Sequence, residues 1–195
     1  MHNDTIFMGA FESNPVFVDI DPNLVYGLYD FPWDEYGPYL EKHMEVMPKL
    51  ATVGQKTLIC GPESFTPDAM PLFGQTEVEG LYLNCGMSSR GIQLSGGIGR
   101  EMANLIVNGY TDVDMFTYDI NRFHKSYIQQ EKWLKESVHE AEVRIYYVRY
   151  PTLQRFAARN LRLSSLHSRL AEAGAFFGSA GGFERPMFFL PGKCQ

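Results

Sequence analysis

Apolar positions along the chain fall into a few runs, and the spacing within each run predicts its element. Residues 5–11 (TIFMGAF) form a strand-length apolar run, while Tyr36, Leu40, Met44 and Met47 recur about one turn apart, predicting a helix over 33–47. Pro38 is tolerated in the opening turns of that helix and Pro48 stops it. Residues 16–29 read as extended loop around Asp21-Pro22-Asn23, and 56–60 as a short strand. Pro62, Pro67, Pro71 and Gly74 predict a winding loop over 61–74. A strand is expected at 81–83. The helix after it, 96–108, carries Ile98, Met102, Leu105 and Ile106 on one face and stops at Asn108-Gly109.

Beyond Gly109 a polar linker leads to Asp119, a good N-cap for a helix over 120–125. Leu134, Val138, Ala141 and Ile145 then repeat at i, i+4, i+7 and i+11, predicting a longer amphipathic helix. Residues 147–151 read as extended, 157–162 as basic, and 165–173 as a short helix closed by Gly174. Residues 175–178 and 183–190 are aromatic-rich strand or loop. The class is α/β (α+β): a partial mixed or antiparallel sheet with helices at 33–47 and 96–108, a mostly helical connector, and the start of another α+β domain. The strand at 5–11 finds candidate partners only after residue 55, and FERPMFFLPG closes the chain on hydrophobes. The sheet is therefore expected to be incomplete at one end, and a further domain to follow at the other.

Residues 81–109 (LYLNCGMSSRGIQLSGGIGREMANLIVNG) concentrate the candidate chemistry. Gly86, Gly91, Gly96, Gly97 and Gly99 lie between strand and helix, where bare backbone can approach a ligand closely. A helix N-terminus there would present unpaired N–H donors to an anionic group, a phosphate or the electron-rich edge of a flavin. The alternative is that the glycines serve close packing on a sheet, and both readings stand. The dinucleotide fingerprint is absent: Met102 stands where Gly97-Ile98-Gly99 would require a glycine or alanine. Glu63 and Asp68 read as turn-capping or solvated carboxylates, or alternatively as catalytic ones. His124 and His139 have no second ligand at i+4 and read as structural.

Charge and cysteine usage narrow the classes. A net charge of −6 without a basic stripe argues against nucleic acid as a partner. Three cysteines, Cys60, Cys85 and Cys194, without CxxC spacing give neither a disulfide framework nor a zinc site, so no metal is expected. No apolar run approaches the roughly 18 residues of a membrane span, and no membrane partner is expected.

Five segments in order, GPESFTPD (61–68), residues 81–109, DMFTYDINRFH (114–124), RN with LH (159, 160, 166, 167) and FERP (183–186), resemble the sarcosine and dimethylglycine dehydrogenase family, FAD-dependent amine dehydrogenases, and lean towards its sarcosine branch. The resemblance runs in register over nearly the whole chain, including GLYDFPWDEYG (27–37). It implies a piece from the middle of a longer flavoenzyme. Residues 1–111 would be the C-terminal part of the flavin domain, with a substrate-side sheet and a flavin-contacting helix. Residues 112–150 would be the central domain, and 151–195 the start of an aminomethyltransferase-like folate-binding region.

In such enzymes FAD takes a hydride from the N-methyl carbon of a small N-methyl amino acid such as sarcosine, and electrons leave through electron-transfer flavoprotein. Tetrahydrofolate is a possible second cofactor of the full-length protein, and the mitochondrial matrix the implied location. The segment matching Ser88, Ser89, Arg90, Gly91, Ile92 and Gln93 runs beside the flavin in the family. Related amine oxidases place a lysine at Gln93 and a histidine at Arg90, and this chain departs at both. Arg90 either grips a substrate carboxylate or is a solvated turn residue. Two further readings remain. A non-catalytic relative, the regulatory subunit of pyruvate dehydrogenase phosphatase, shares the architecture and an FE-x-NP motif like Phe11 to Pro15. An inactive product is the other, because the chain has no pyrophosphate cradle and in isolation would bind no FAD.

Overall fold

The computed structural model describes residues 5–19, 21–23, 27–148, 150–151 and 153–190. It divides into two compact units, Met1–Glu63 and Ser64–Gln195.

In the first unit, helix α1 (Trp33–Val46) follows the predicted periodicity, with Pro38 inside it. Phe31 packs edge-on against Trp33 and Tyr36, ring centroids 5.0 and 5.1 Å away. Pro48 ends the α-helix but opens a 3-10 turn, Pro48–Thr52, because a proline suits the first position of a new turn. Neither strand predicted in this unit forms among the described residues. Thr5 makes only an isolated bridge, and 6–12 and 56–60 run without a ladder. An apolar run becomes a strand only where a partner is aligned with it. A backbone hydrogen bond from Tyr29 N–H to Cys60 O, 2.7 Å, ties the extended loop to the second of these segments.

The second unit opens on an antiparallel pair, β1 (Leu72–Gln75) and β2 (Tyr82–Cys85), registered Leu72 to Cys85 and Gln75 to Tyr82. β1 begins inside the stretch predicted as winding loop, 61–74, and runs one residue past it. There the ladder to β2 and the burial of Phe73 outweigh the turn chemistry of Pro71 and Gly74. Helix α2 (Gly91–Asn108) begins five residues before the predicted start and ends on left-handed Gly109, φ 79°. Gly91, Gly96, Gly97 and Gly99 therefore lie within the helix, and of the five glycines expected between strand and helix Gly86 alone lies there.

Asp119 does cap, accepting from Asn121 N–H at 2.7 Å, but the element it caps is a 3-10 turn, Ile120–Arg122, in place of the helix predicted to 125. The chain turns extended at Phe123, and a one-turn helix α3 (Lys125–Ile128) starts anew with His124 as its cap. Helix α4 (Glu131–Val143) buries Trp133, Ser137, Glu140 and Ala141. That face is rotated from the predicted one, and Ile145 falls beyond the helix. The predicted extended stretch 147–151 includes Arg149, outside the described residues; the rest of it carries no strand. Helix α5 (His167–Glu172) is followed by left-handed Gly174, φ 86°. It leads into a hairpin of β3 (Ala175–Ala180) and β4 (Phe183–Phe189). Positive φ at both Gly181 and Gly182 gives the hairpin its primed turn. Among the described residues the sheets are antiparallel, two strands each, and the class is mixed α and β as predicted. Among the described residues no helix is long and apolar enough to cross a membrane.

Candidate functional site

The turn from β2 into α2 is built on backbone that side chains seldom adopt. Gly86, Ser88 and Ser89 have φ of 62°, 47° and 61°, the left-handed region that costs a non-glycine residue about 1–2 kcal/mol. At Gly86 a Cβ would lie 2.9 Å from Thr66 Cγ2, so glycine is required there for space as well as conformation. Ser88 is fully buried. Its N–H donates to Ser64 O at 3.1 Å, and its hydroxyl accepts from Thr66 N–H at 3.3 Å and donates to Gly86 O at 3.4 Å. The strained turn is thus held by the segment 64–66.

Arg90 closes the turn and caps α2. Its N–H donates to Met87 O, its carbonyl accepts from Leu94 N–H, and its Nη2 donates to Ala69 O with Met70 Sδ 3.7 Å away. The half-buried side chain is thus anchored to the backbone of the loop before β1. Its Nε–H is buried with no acceptor among the described residues. Gly91, Ile92 and Gln93 form the first turn of α2, whose N–H groups have no carbonyl within the helix to bond. Ile92 is 97% exposed and no acidic side chain sits in that turn. The mouth of α2 therefore combines open N–H donors, a helix-end partial charge of about +0.5 and, at its cap residue, the anchored positive charge of the Arg90 guanidinium. Such a mouth stabilises an electron-rich group.

The loop 66–70 beneath Arg90 is held by two further arginines. Arg122 grips Asp68 bidentately, Nε to Oδ2 at 2.7 Å and Nη2 to Oδ1 at 2.9 Å, and also donates to Met70 O at 2.7 Å. Asp68 in turn accepts from Met70 N–H at 3.0 Å and the Thr66 hydroxyl at 3.1 Å. Burial pushes the Asp68 carboxyl up, but the Arg122 fork and these donors together hold it below the usual carboxylate range. Arg155 donates to Pro67 O, and burial lowers its guanidinium despite the carboxylates of Glu140 and Asp68. Asp68 does cap its turn, but as half of an ion pair and not as a solvated group. Arg122 and Arg155 carry no local sequence signal for this role, since their partners lie 54 and 88 residues away. The His124 ring caps α3, its Nδ1 accepting from Ser126 N–H at 3.3 Å, the structural role predicted.

Comparison with known proteins adds an independent line. The family model for FAD dependent oxidoreductase matches residues 2–105, and that for the FAD dependent oxidoreductase central domain matches 108–164. Mitochondrial sarcosine dehydrogenase of Mus musculus is 39% identical over 98% of this chain and 21% of its own length. A 4-methylaminobutanoate oxidase (formaldehyde-forming) of Paenarthrobacter nicotinovorans is 35% identical over 94% of this chain and 23% of its own. The mitochondrial pyruvate dehydrogenase phosphatase regulatory subunit of Mus musculus is 34% identical over 95% and 21%. This chain spans about a fifth of the length of these curated relatives.

Proposed function

We propose, from the premise that this chain belongs to the FAD-dependent oxidoreductase family, that it is the substrate-side and central part of a dehydrogenase that oxidises an N-methyl amino acid. Sarcosine and 4-methylaminobutanoate, the compounds in the names of two relatives, each carry a carboxylate and an N-methyl amine on one small molecule. The observation that carries the reading is the mouth of α2, where the N–H groups of the first turn have no acceptor within the helix and the Arg90 guanidinium is anchored beside them. These residues fit one edge of FAD, which when bound supplies the two-electron acceptor. The N–H groups of Gly91, Ile92 and Gln93 would oppose negative charge at that edge. The guanidinium of Arg90 holds a fixed positive charge beside it, for the flavin or for a substrate carboxylate. Ser88 and Ser89 shape the turn that delivers both. The net reaction is oxidation of N–CH₃ to an iminium, followed by hydrolysis to formaldehyde or capture by tetrahydrofolate.

Within this reading residues 1–111 belong to the flavin domain, 112–150 to the central domain, and 151–195 open a folate-binding region. Electrons pass to electron-transfer flavoprotein in the mitochondrial matrix. The test takes the polypeptide carrying this sequence from its source, measures its intact mass and flavin content, and adds sarcosine, dimethylglycine or 4-methylaminobutanoate without oxygen. Loss of the visible flavin absorbance with release of formaldehyde is the expected result. A flavin that none of the three amines reduces would overturn the substrate class. A flavin-free polypeptide that co-purifies with a phosphatase would establish the regulatory reading, which the FE-x-NP motif at 11–15 and the 34% identity favour.

A further inference from the structure

The loop 66–70 is a joint on which three arginines from three separate parts of the second unit converge. Arg90 from the mouth of α2 holds Ala69 O, Arg122 from the connector holds the Asp68 carboxylate and Met70 O, and Arg155 from beyond α4 holds Pro67 O. The loop is buried at Thr66 and Ala69 and carries a left-handed non-glycine, Ala69, φ 58°. A residue held in that region persists only where its surroundings fix it. The loop presents three acceptor carbonyls and one carboxylate to three cations, so each cation's position depends on where the other two hold the backbone.

We propose that Asp68, Arg122 and Arg155 are positioning residues for Arg90: through loop 66–70 they fix where its guanidinium stands at the mouth of α2. The three act on Arg90 without touching the reacting groups. The inference rests on the reading of Arg90 as a group facing flavin or substrate, and it adds that the connector and the segment after α4 set the geometry of that group. The Arg122 contact is directional, two parallel bonds to one carboxylate, which a lysine cannot reproduce.

Two measurements separate this inference from the functional reading. The first is amide hydrogen exchange on the full chain for Asp68→Asn, Arg122→Lys and Arg155→Met, with Lys125→Ala as control for an exposed pair, Lys125 with Glu77. Exchange at 86–93 is expected to speed about tenfold together with 66–70 in the first three variants and not in the control. Loosening of 66–70 with 86–93 unchanged would overturn the proposal. Should Asp68→Asn fail to fold, Arg122→Lys, which keeps the charge, decides the same point. The second measurement is steady-state kinetics of the flavin-loaded protein with an N-methyl amino acid, where Arg122→Lys is expected to raise KM by about tenfold, with the larger part of the loss in KM and not kcat. A loss confined to kcat would overturn the positioning role. A wild-type flavin that no N-methyl amine reduces sinks the functional reading alone, and the exchange result still judges the joint.

Discussion

Replacing Glu184 by alanine tests how an ion pair holds irregular backbone in this protein. Glu184 sits in β4 with its side chain 1% exposed and takes both arms of Arg159: Nε to Oε1 at 2.9 Å and Nη2 to Oε2. Oε1 also accepts from Asn160 N–H at 2.8 Å. The segment it secures contains two left-handed residues, Ala158 at 54° and Asn160 at 61°, of which the alanine alone costs about 1 kcal/mol. Removing one partner of a fully buried pair costs about 3–5 kcal/mol. Arg159 is 25% exposed and keeps Arg155 O and Phe177 O as acceptors, so Glu184→Ala should lie at the low end, about 3 kcal/mol. With a urea slope of about 2 kcal/mol/M the midpoint falls by roughly 1.5 M.

Glu184→Gln keeps an acceptor for Asn160 and should lose about half as much. The Arg159 fork, opposed by burial, holds the Glu184 carboxyl below the ordinary glutamate value. A depressed folded pKa stabilises the protein above the unfolded pKa, about 4.3, and that contribution is lost as pH falls through the folded value. The gap between wild type and Glu184→Gln should therefore be full at neutral pH and close below pH ~4. A midpoint shift under about 0.3 M for Glu184→Ala, or a gap that widens on acidification, would refute the reasoning.

Other substitutions isolate single effects. Gly109→Ala meets nothing within 4 Å, so it should lose only the left-handed cost, about 1 kcal/mol, whereas Gly86→Ala adds a 2.9 Å approach to Thr66 and should lose about 2–3 kcal/mol, both read from urea midpoints. Gly97→Ala, inside α2 with open space around its Cα, should raise the thermal midpoint, a gain of up to about 1 kcal/mol in helix propensity. A fall would show that this helix face is covered in solution.

How far the sequence reached differs from element to element for physical reasons. α1 and the stop of α2 at Gly109 were legible because period and cap are local. The start of α2 was not: residues 91–95 lie in a glycine-rich stretch that looks like a turn until the ordered residues after it propagate the helix backwards to Gly91. The buried face of α4 was hidden because Ser137 and Glu140 are polar yet lie inside. Glu140 is accommodated by Arg144, its i+4 neighbour at 2.9 Å, and by the N–H groups of Phe156 and Ala157 at 2.9 and 3.0 Å, two partners 16 and 17 residues on that a helical pattern cannot reveal. At the candidate site, the glycine-rich stretch 81–109 stood out from its residues, and the family resemblance narrowed it to Ser88 to Gln93. Asp68 stood out as an acidic turn residue, but its partner Arg122 lay beyond any local rule.

The three clasps on loop 66–70 also set an order of events. They close over 21, 54 and 88 residues of chain, for Arg90, Arg122 and Arg155 respectively. Loop-closure entropy grows only with the logarithm of length, so the longest closure costs about 1.3 kcal/mol more than the shortest, less than one charge-assisted bond returns. Sequence distance therefore weighs little on the finished joint and heavily on when it forms. During synthesis, or after dilution from denaturant, Arg90 can reach Ala69 well before Arg155 reaches Pro67. The left-handed Ala69 has its full set of neighbours only when the last arginine arrives, so the joint should mature late and from its N-terminal side.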